Sequence, residues 1–198
     1  NVVGSRCFTI NINLKLGAMK KIIFIILFLS NVVGYSQGLY KAVDGDISFF
    51  SETPMENIDA RNNDVKALIN TKTGEVAFIA TNIGFHFEKP LMEEHFNENY
   101  MESDKYKISV FKGKIVEQLD YSVNGTHKVT VKGTLNLHGV EKEREIPGEI
   151  TITEGKISVK SEFEVQVKDH KIKIPKLVIK NIAETVKVKV NLNFEPKK

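Results

Sequence analysis

The chain has 198 residues, 41% of them apolar, enough for one domain with a sizeable core. Residues 1–36 hold four bases and no acid, which leaves 24 basic and 25 acidic groups in residues 37–198, and that balance does not support a nucleic-acid partner, which would want a clustered basic face. The one cysteine is Cys7, so disulfides, thiol catalysis and Cys-ligated metals are excluded for residues 37–198.

Met19 opens a tripartite pattern. Lys20 and Lys21 follow it, then the apolar run 22–29, then a stretch ending in Gly34-Tyr35-Ser36. A positive start, a short apolar middle and small residues at the cut are the layout of a secretory signal peptide. The apolar run is shorter than the roughly 20 residues of a membrane-spanning helix. The expected organisation is an upstream extension over residues 1–18, a signal peptide over 19–36 and a single domain over 37–198. The expected destination is the periplasm or the outside of the cell, with no membrane span left after the signal is removed.

From Gln37 onward β patterning dominates. Strands are predicted near 39–43, 46–51, 57–69, 75–83, 106–118, 127–138, 143–153, 156–168 and 184–195, eight or nine in all if an edge pair merges. The later ones are the most regular. Val129, Val131, Leu135 and Leu137 alternate with Lys128, Thr130, Lys132, Thr134, Asn136 and His138. Ile146, Gly148, Ile150 and Ile152 share one phase of the next strand. Ile157, Val159, Ser161, Phe163, Val165 and Val167 share one phase of the strand after that. Val186, Val188, Val190, Leu192 and Phe194 alternate with Lys187, Lys189, Asn191, Asn193 and Glu195. A period of two puts one face on a core and the other in water. Asp44-Gly45, Thr73-Gly74, Asn124-Gly125, His138-Gly139 and Glu154-Gly155 are hairpin-compatible turns.

Two segments break the alternation. Residues 90–103 space Leu91, Met92, Phe96, Tyr100 and Met101 as a helix does, with Pro90 fit for its first turn and glutamates at its positive end. Residues 175–183 begin with Pro175 and are expected to make a short helical turn across one end of the sheet.

Strands of up to about ten residues suit a barrel better than a small sandwich. An outer-membrane barrel turns its apolar face to lipid and carries aromatic girdles. This chain has no Trp, and its polar phase is dense in Lys and Glu, which reads as the water-facing side. The prediction is therefore an all-β, antiparallel, water-soluble barrel of about eight strands with one or two short helices. Such a barrel is either filled by side chains or holds one ligand, and the pattern alone leaves both open. Gly133, Gly148 and Ser161 are small residues in the inward phase that would leave room.

Two stretches carry a family resemblance. The first runs from Phe87 to Tyr106, Phe-Glu-Lys-Pro-Leu-Met-Glu-Glu-His-Phe-Asn-Glu-Asn-Tyr-Met-Glu-Ser-Asp-Lys-Tyr, and is followed by Phe111-Lys112-Gly113. The second is Gly133-Thr134-Leu135-Asn136-Leu137-His138-Gly139-Val140, continuing through Ile146-Pro147. Together they resemble the YceI-like family over about residues 38–195. Of that family's Arg-Asp-x-His-Leu run only Leu91 is matched here, and Lys107 stands where a proline is usual. The resemblance implies a lipocalin-like barrel that binds a polyisoprenoid, quinone or fatty chain in an internal tunnel. The residues expected to line it are Phe85, Phe87, Leu91, Phe96, Val131, Leu135, Ile150, Val159, Phe163 and Val188. Phe85 and Phe87 share a phase with Ile83 beside the helix and are placed to close one end.

No cofactor, metal ligand set or catalytic residue is expected. The histidines His86, His95, His127, His138 and His170 form no paired ligand spacing, and no nucleophile elbow or phosphate loop is present. The regular strands show only Gly and Ser as non-apolar members of their inward phase. The expected function is binding and carriage or storage of a long apolar ligand in the bacterial cell envelope. The alternatives are a filled barrel that acts as an envelope interaction module and, third, a small-molecule barrel enzyme.

Overall fold

The computed structural model describes residues 38–52, 57–174 and 184–197. The expected signal peptide and upstream extension, and the turn expected over 175–183, lie outside these residues. The described part belongs to one compact unit, residues 38–198.

Ten strands form it: β1 (Leu39–Ser51), β2 (Ile58–Asn62), β3 (Val65–Asn70), β4 (Glu75–Thr81), β5 (His86–Phe87), β6 (Ile108–Ile115), β7 (Gly125–Leu137), β8 (Val140–Thr153), β9 (Lys156–Gln166) and β10 (Thr185–Pro196). All pairings are antiparallel, and β1 bonds both β3 and β10. That second contact closes the ring β1-β3-β4-β6-β7-β8-β9-β10, an eight-stranded barrel with β2 and β5 continuing one wall. Closure removes the exposed edges that an open sheet leaves.

Two of the five turn signals are two-residue hairpin loops. His138 (φ +51°) and Gly139 (φ +71°) join β7 to β8, and Glu154 (φ +50°) and Gly155 (φ +76°) join β8 to β9. Positive φ at both central residues matches the twist of the flanking strands. Thr73-Gly74 lies in the loop between β3 and β4, with Gly74 at φ +74°. Asn124-Gly125 is not a hairpin turn: residues 116–124 make a longer connection and Gly125 opens β7.

Asp44-Gly45 is also not a hairpin. β1 runs through it, with one extra residue inserted between Ala42 and Asp44 against β10. The reason is facial. Tyr40 and Ala42 on one side of the bulge, and Ile47 on the other, all pack against the core, which an unbroken period of two cannot achieve. The predicted strand 57–69 breaks at the same level, at Asn63-Asp64. Ala60 and Asn62 are buried before the break, Ala67 and Ile69 after it. Leu39 pairs with Asn70 and Ile47 with Asn62, so the register between the two walls is kept while both change phase. Asn62 holds the break: its Nδ2 donates to the Thr81 carbonyl at 2.8 Å, and its Oδ1 accepts the Asp64 N–H at 2.8 Å.

The predicted helix is shorter than its sequence pattern. α1 spans Pro90–His95, and a π-helical turn follows over Phe96–Tyr100. Asn97 braces the change of winding: its Nδ2 donates to the Glu93 carbonyl at 3.0 Å and its Oδ1 accepts the Ser103 hydroxyl at 2.7 Å.

The barrel is filled at one end. Phe194, Ile69, Ile152 and Ile157 are 2% exposed or less. Leu119 and Tyr121, from the connection between β6 and β7, pack against the same cluster. Burial there pushes the Tyr121 phenol above its ordinary pKa. The outer faces carry cross-strand ion pairs, among them Lys132–Glu145 at 2.8 Å and Lys156–Glu195 at 3.1 Å.

Candidate ligand-binding site

Along β10 burial falls off in one direction. On β10, Phe194 is 1% exposed, Leu192 2% and Val190 8%, whereas Val188 and Val186 are half-buried. These are successive inward positions of one strand, so the change is one of depth, not of face. Side chains fill the lower half of the barrel and leave the upper half hollow.

The hollow is a cavity of about 650 Å³, within the range of about 300–1,000 Å³ typical of small-molecule pockets. All ten residues expected to line a tunnel line it. Val131 and Leu135 come from β7, Ile150 from β8, Val159 and Phe163 from β9, and Val188 from β10. Phe85, Phe87, Leu91 and Phe96 come from the segment that crosses the end. Sequence reasoning missed the contribution of β1, β4 and β6, namely Ile47, Phe49, Phe78 and Phe111. Phe49 lies beyond the bulge that the turn signal at Asp44-Gly45 had concealed.

Four phenyl rings hold α1 across the barrel end. Phe49 lies 5.4 Å from Phe85, 5.8 Å from Phe87 and 5.5 Å from Phe96, centroid to centroid, and Phe96 lies 5.1 Å from Phe87. Pairs of this kind add about 0.5–1.5 kcal/mol each beyond area burial. Glu93 ties the helix to β5, accepting the Phe87 N–H at 3.1 Å while its other oxygen meets His86 Nδ1 at 3.4 Å. The expected placement of Phe85 and Phe87 beside the helix is thus observed. Ile83 is a correction: it sits in a 3₁₀ turn, Asn82–Gly84, and is 65% exposed, because the alternation stops at Thr81.

Polar lining is sparse. Ser51, Asn82, Ser109 and Ser161 stand on the wall, and Lys89, His95 and Tyr100 at the helix end. Asn82 and Ser109 satisfy each other at 2.6 Å, and Asn82 also donates to the Tyr106 carbonyl at 2.6 Å. Burial pushes the Tyr100 phenol above its ordinary pKa. Of the small residues expected to leave room, Gly148 and Ser161 line the cavity. Gly133 serves another purpose: a Cβ there would stand 2.2 Å from the Lys112 carbonyl oxygen across the ladder.

The expectation that inward positions hold only Gly and Ser beside apolar residues needs two corrections. His127 extends the phase of Val129 toward the filled end, and its Nε2 is buried without a partner among the described residues. Arg144 extends the phase of Ile146 toward the cavity end and donates to the Glu164 carbonyl. Both fall just outside the regular apolar alternation. No cluster of three or more metal-ligating side chains occurs among the described residues. No described helix is long and apolar enough to cross a membrane.

Solved structures share the barrel. A polyisoprenoid binding domain from Saccharophagus degradans, implicated in plant cell wall breakdown, superposes with a TM-score of 0.68 at 17% identity over 80% of this chain and 98% of that one. BcnA from Burkholderia cenocepacia gives 0.65 at 12% identity over 75% and 95%. A YCEI protein from Campylobacter jejuni gives 0.56 at 16% identity over 68% and 82%. No curated protein sequence matches the chain significantly. The YceI-like domain matches residues 28–194, most of the chain and nearly all of the barrel, and the chain belongs to the YceI-like family.

Proposed function

We propose that the barrel binds one long apolar ligand, a polyisoprenoid, an isoprenoid quinone or a fatty chain, and carries or stores it in the cell envelope after export. The observation that carries this reading is the hollow upper half, about 650 Å³ lined mostly by Val, Ile, Leu and Phe. Such a lining offers a chain dispersion contacts and release of water, with few polar groups to orient anything else. The polyisoprenoid binding domain that shares the fold supports the ligand class. The signal-like residues 19–36 support export. A filled interaction module requires a solid interior, which the cavity end lacks. A catalytic reading finds little on the wall beyond hydroxyls and an amide, two of which bond each other.

Native mass spectrometry of the protein, purified without detergent from its producing cells, tests the binding. A co-purified mass in the range of an isoprenoid or fatty chain is expected, and Phe163→Trp lowers its occupancy by filling the cavity. A clean apo mass with no uptake of added prenol or isoprenoid quinone sinks the reading. Export is checked separately by cell fractionation and by loss of residues 1–36 from the intact mass.

A further inference from the structure

The seam between β8 and β9 is only half zipped. β7 and β8 pair from Gly125↔Ile152 to Leu137↔Val140, and β9 and β10 from Ile157↔Phe194 to Gln166↔Thr185. β8 and β9 pair only from Thr153↔Lys156 to Glu149↔Lys160. Beyond that point both strands continue, yet among the described residues no ladder pair joins 140–148 to 161–166. Pro147 has no N–H to give a ladder. Two side chains stand in for the missing bonds. Ser161 Oγ donates to the Pro147 carbonyl at 2.6 Å, and the Arg144 guanidinium donates to the Glu164 carbonyl. The far end is closed where His170 Nδ1 meets the Val140 carbonyl at 3.2 Å.

The slot lies between the cavity and the outer surface of the barrel. Ile146, Pro147, Gly148, Ser161, Phe163 and Val165 on its two banks line the cavity, and Pro147 is also exposed to solvent. Charge on the outer banks favours parting. Continued at the register of the zipped part, the ladder would set Glu145 opposite Glu164, and like charges so placed repel. The lysines paired with Glu145 and Glu162 sit on the flanking strands, not across the slot: Lys132 on β7 takes Glu145 at 2.8 Å, and Lys187 and Lys189 on β10 take Glu162 at 3.4 and 3.5 Å. No ion pair crosses the slot among the described residues. Two acceptors that an added peptide strand would use are already taken by Ser161 and Arg144, which argues against strand addition here.

We propose that the β8–β9 slot is a lateral gate through which the apolar chain of the ligand passes into and out of the cavity, with Arg144 as its movable tie. The proposal rests on the binding reading above and adds the route. Its test compares two staples, each made with a short bis-maleimide in a Cys7→Ser background. One joins Glu145→Cys to Glu164→Cys across the slot. The other joins His86→Cys to Glu93→Cys and pins α1 to β5. The probe is cis-parinaric acid, followed by stopped-flow fluorescence, and each protein before stapling is its own control for folding. The slot staple is expected to slow uptake and release by about tenfold or more, and Arg144→Ala to speed both with little change in equilibrium affinity. Rates unchanged by the slot staple but slowed by the helix staple overturn the gate and move the route to the barrel end. Failure of the unmodified protein to bind the probe or an added prenol at equilibrium removes the binding reading, and the gate with it.

Discussion

Glu102 and His138 lie 36 residues apart, both adopt left-handed backbone conformations, φ +45° and +51°, and their side chains meet at 2.9 Å. Neither is a glycine, so each holds a conformation that costs about 1 kcal/mol or more unless its surroundings over-determine it. The contacts around the His138 ring supply that. Its Nδ1 donates to the His170 carbonyl at 3.1 Å, and its ring centroid lies 4.2 Å from that of Tyr106 in a tilted arrangement. The contact ties together the segment after the π-helical turn, the β7–β8 hairpin and the 3₁₀ turn after β9.

A double-mutant cycle on Glu102→Gln and His138→Ala should therefore show coupling. About 1 kcal/mol is expected in urea unfolding, below the range of a buried charge-assisted bond because Glu102 is half exposed. Additive losses would mean that the two strained residues are held independently. Glu102→Gly should cost less than Glu102→Ala, since it removes the same carboxylate and relieves the backbone.

His170 gives the barrel a pH dependence of known sign. It is 1% exposed, and its Nε2 has no partner among the described residues. Burial holds its pKa below the ordinary histidine value, against the pull of the Val140 and Leu137 carbonyls and Asp169, with Arg144 adding a smaller push downward. The folded state thus binds fewer protons than the unfolded state. Its contribution to stability is complete above about pH 6.5 and is lost as pH falls through the folded value, at no more than about 1.4 kcal/mol per pH unit. Urea midpoints measured above and below about pH 6.5 should diverge for the wild type and converge by that amount in His170→Gln. An equal slope in both proteins would assign the dependence to other groups.

Two glycines of the same sheet separate strand approach from free space. A Cβ on Gly133 would meet the Lys112 carbonyl oxygen at 2.2 Å and the Gly113 Cα at 2.5 Å, both backbone. On Gly148 the nearest atom is the Lys160 carbonyl oxygen at 3.3 Å. Gly133→Ala is expected to destabilise by about 2–4 kcal/mol and Gly148→Ala by less than about 1 kcal/mol, read from chemical denaturation. Equal costs would show that the close approach of β6 and β7 relaxes on substitution.

The alternation of β7 to β10 was legible because each strand is buried on one face only, so every second residue reports its own direction. Six of the ten residues expected to line the cavity lie on those strands, and the family resemblance pointed to the other four, Phe85, Phe87, Leu91 and Phe96. What failed were places where the chain changes phase. Asp44-Gly45 has the composition of a turn, yet its bulge lets β1 run on with Tyr40 and Ile47 both inside. Ile83 continues an apparent alternation that the 3₁₀ turn has already ended. Arg144 and His127 sit at the margins of apolar runs, where a polar residue reads as the end of a strand. The Glu102–His138 contact, and the seam that stops zipping at Glu149, depend on which strands become neighbours, and no local pattern encodes that. Depth along the barrel was equally silent: Val188 and Phe194 occupy the same phase of β10, and only the closed ring shows that one faces space and the other a packed core.

That difference in depth should be measurable. Ile157 is 1% exposed within the filled end, so Ile157→Ala removes contacts on all sides and should cost about 2–5 kcal/mol. Val188 is half-buried against the cavity, so Val188→Ala loses fewer contacts and should cost less than about 1 kcal/mol. Enlargement reverses the readout. Ile157→Phe has no room and should destabilise by about 1–3 kcal/mol. Val188→Phe grows into the hollow, so urea unfolding should show little loss of stability while native mass spectrometry shows less bound ligand. A large loss on Val188→Phe would mean that the upper wall is packed as tightly as the lower, and the hollow half of the barrel would then not be open space for a chain.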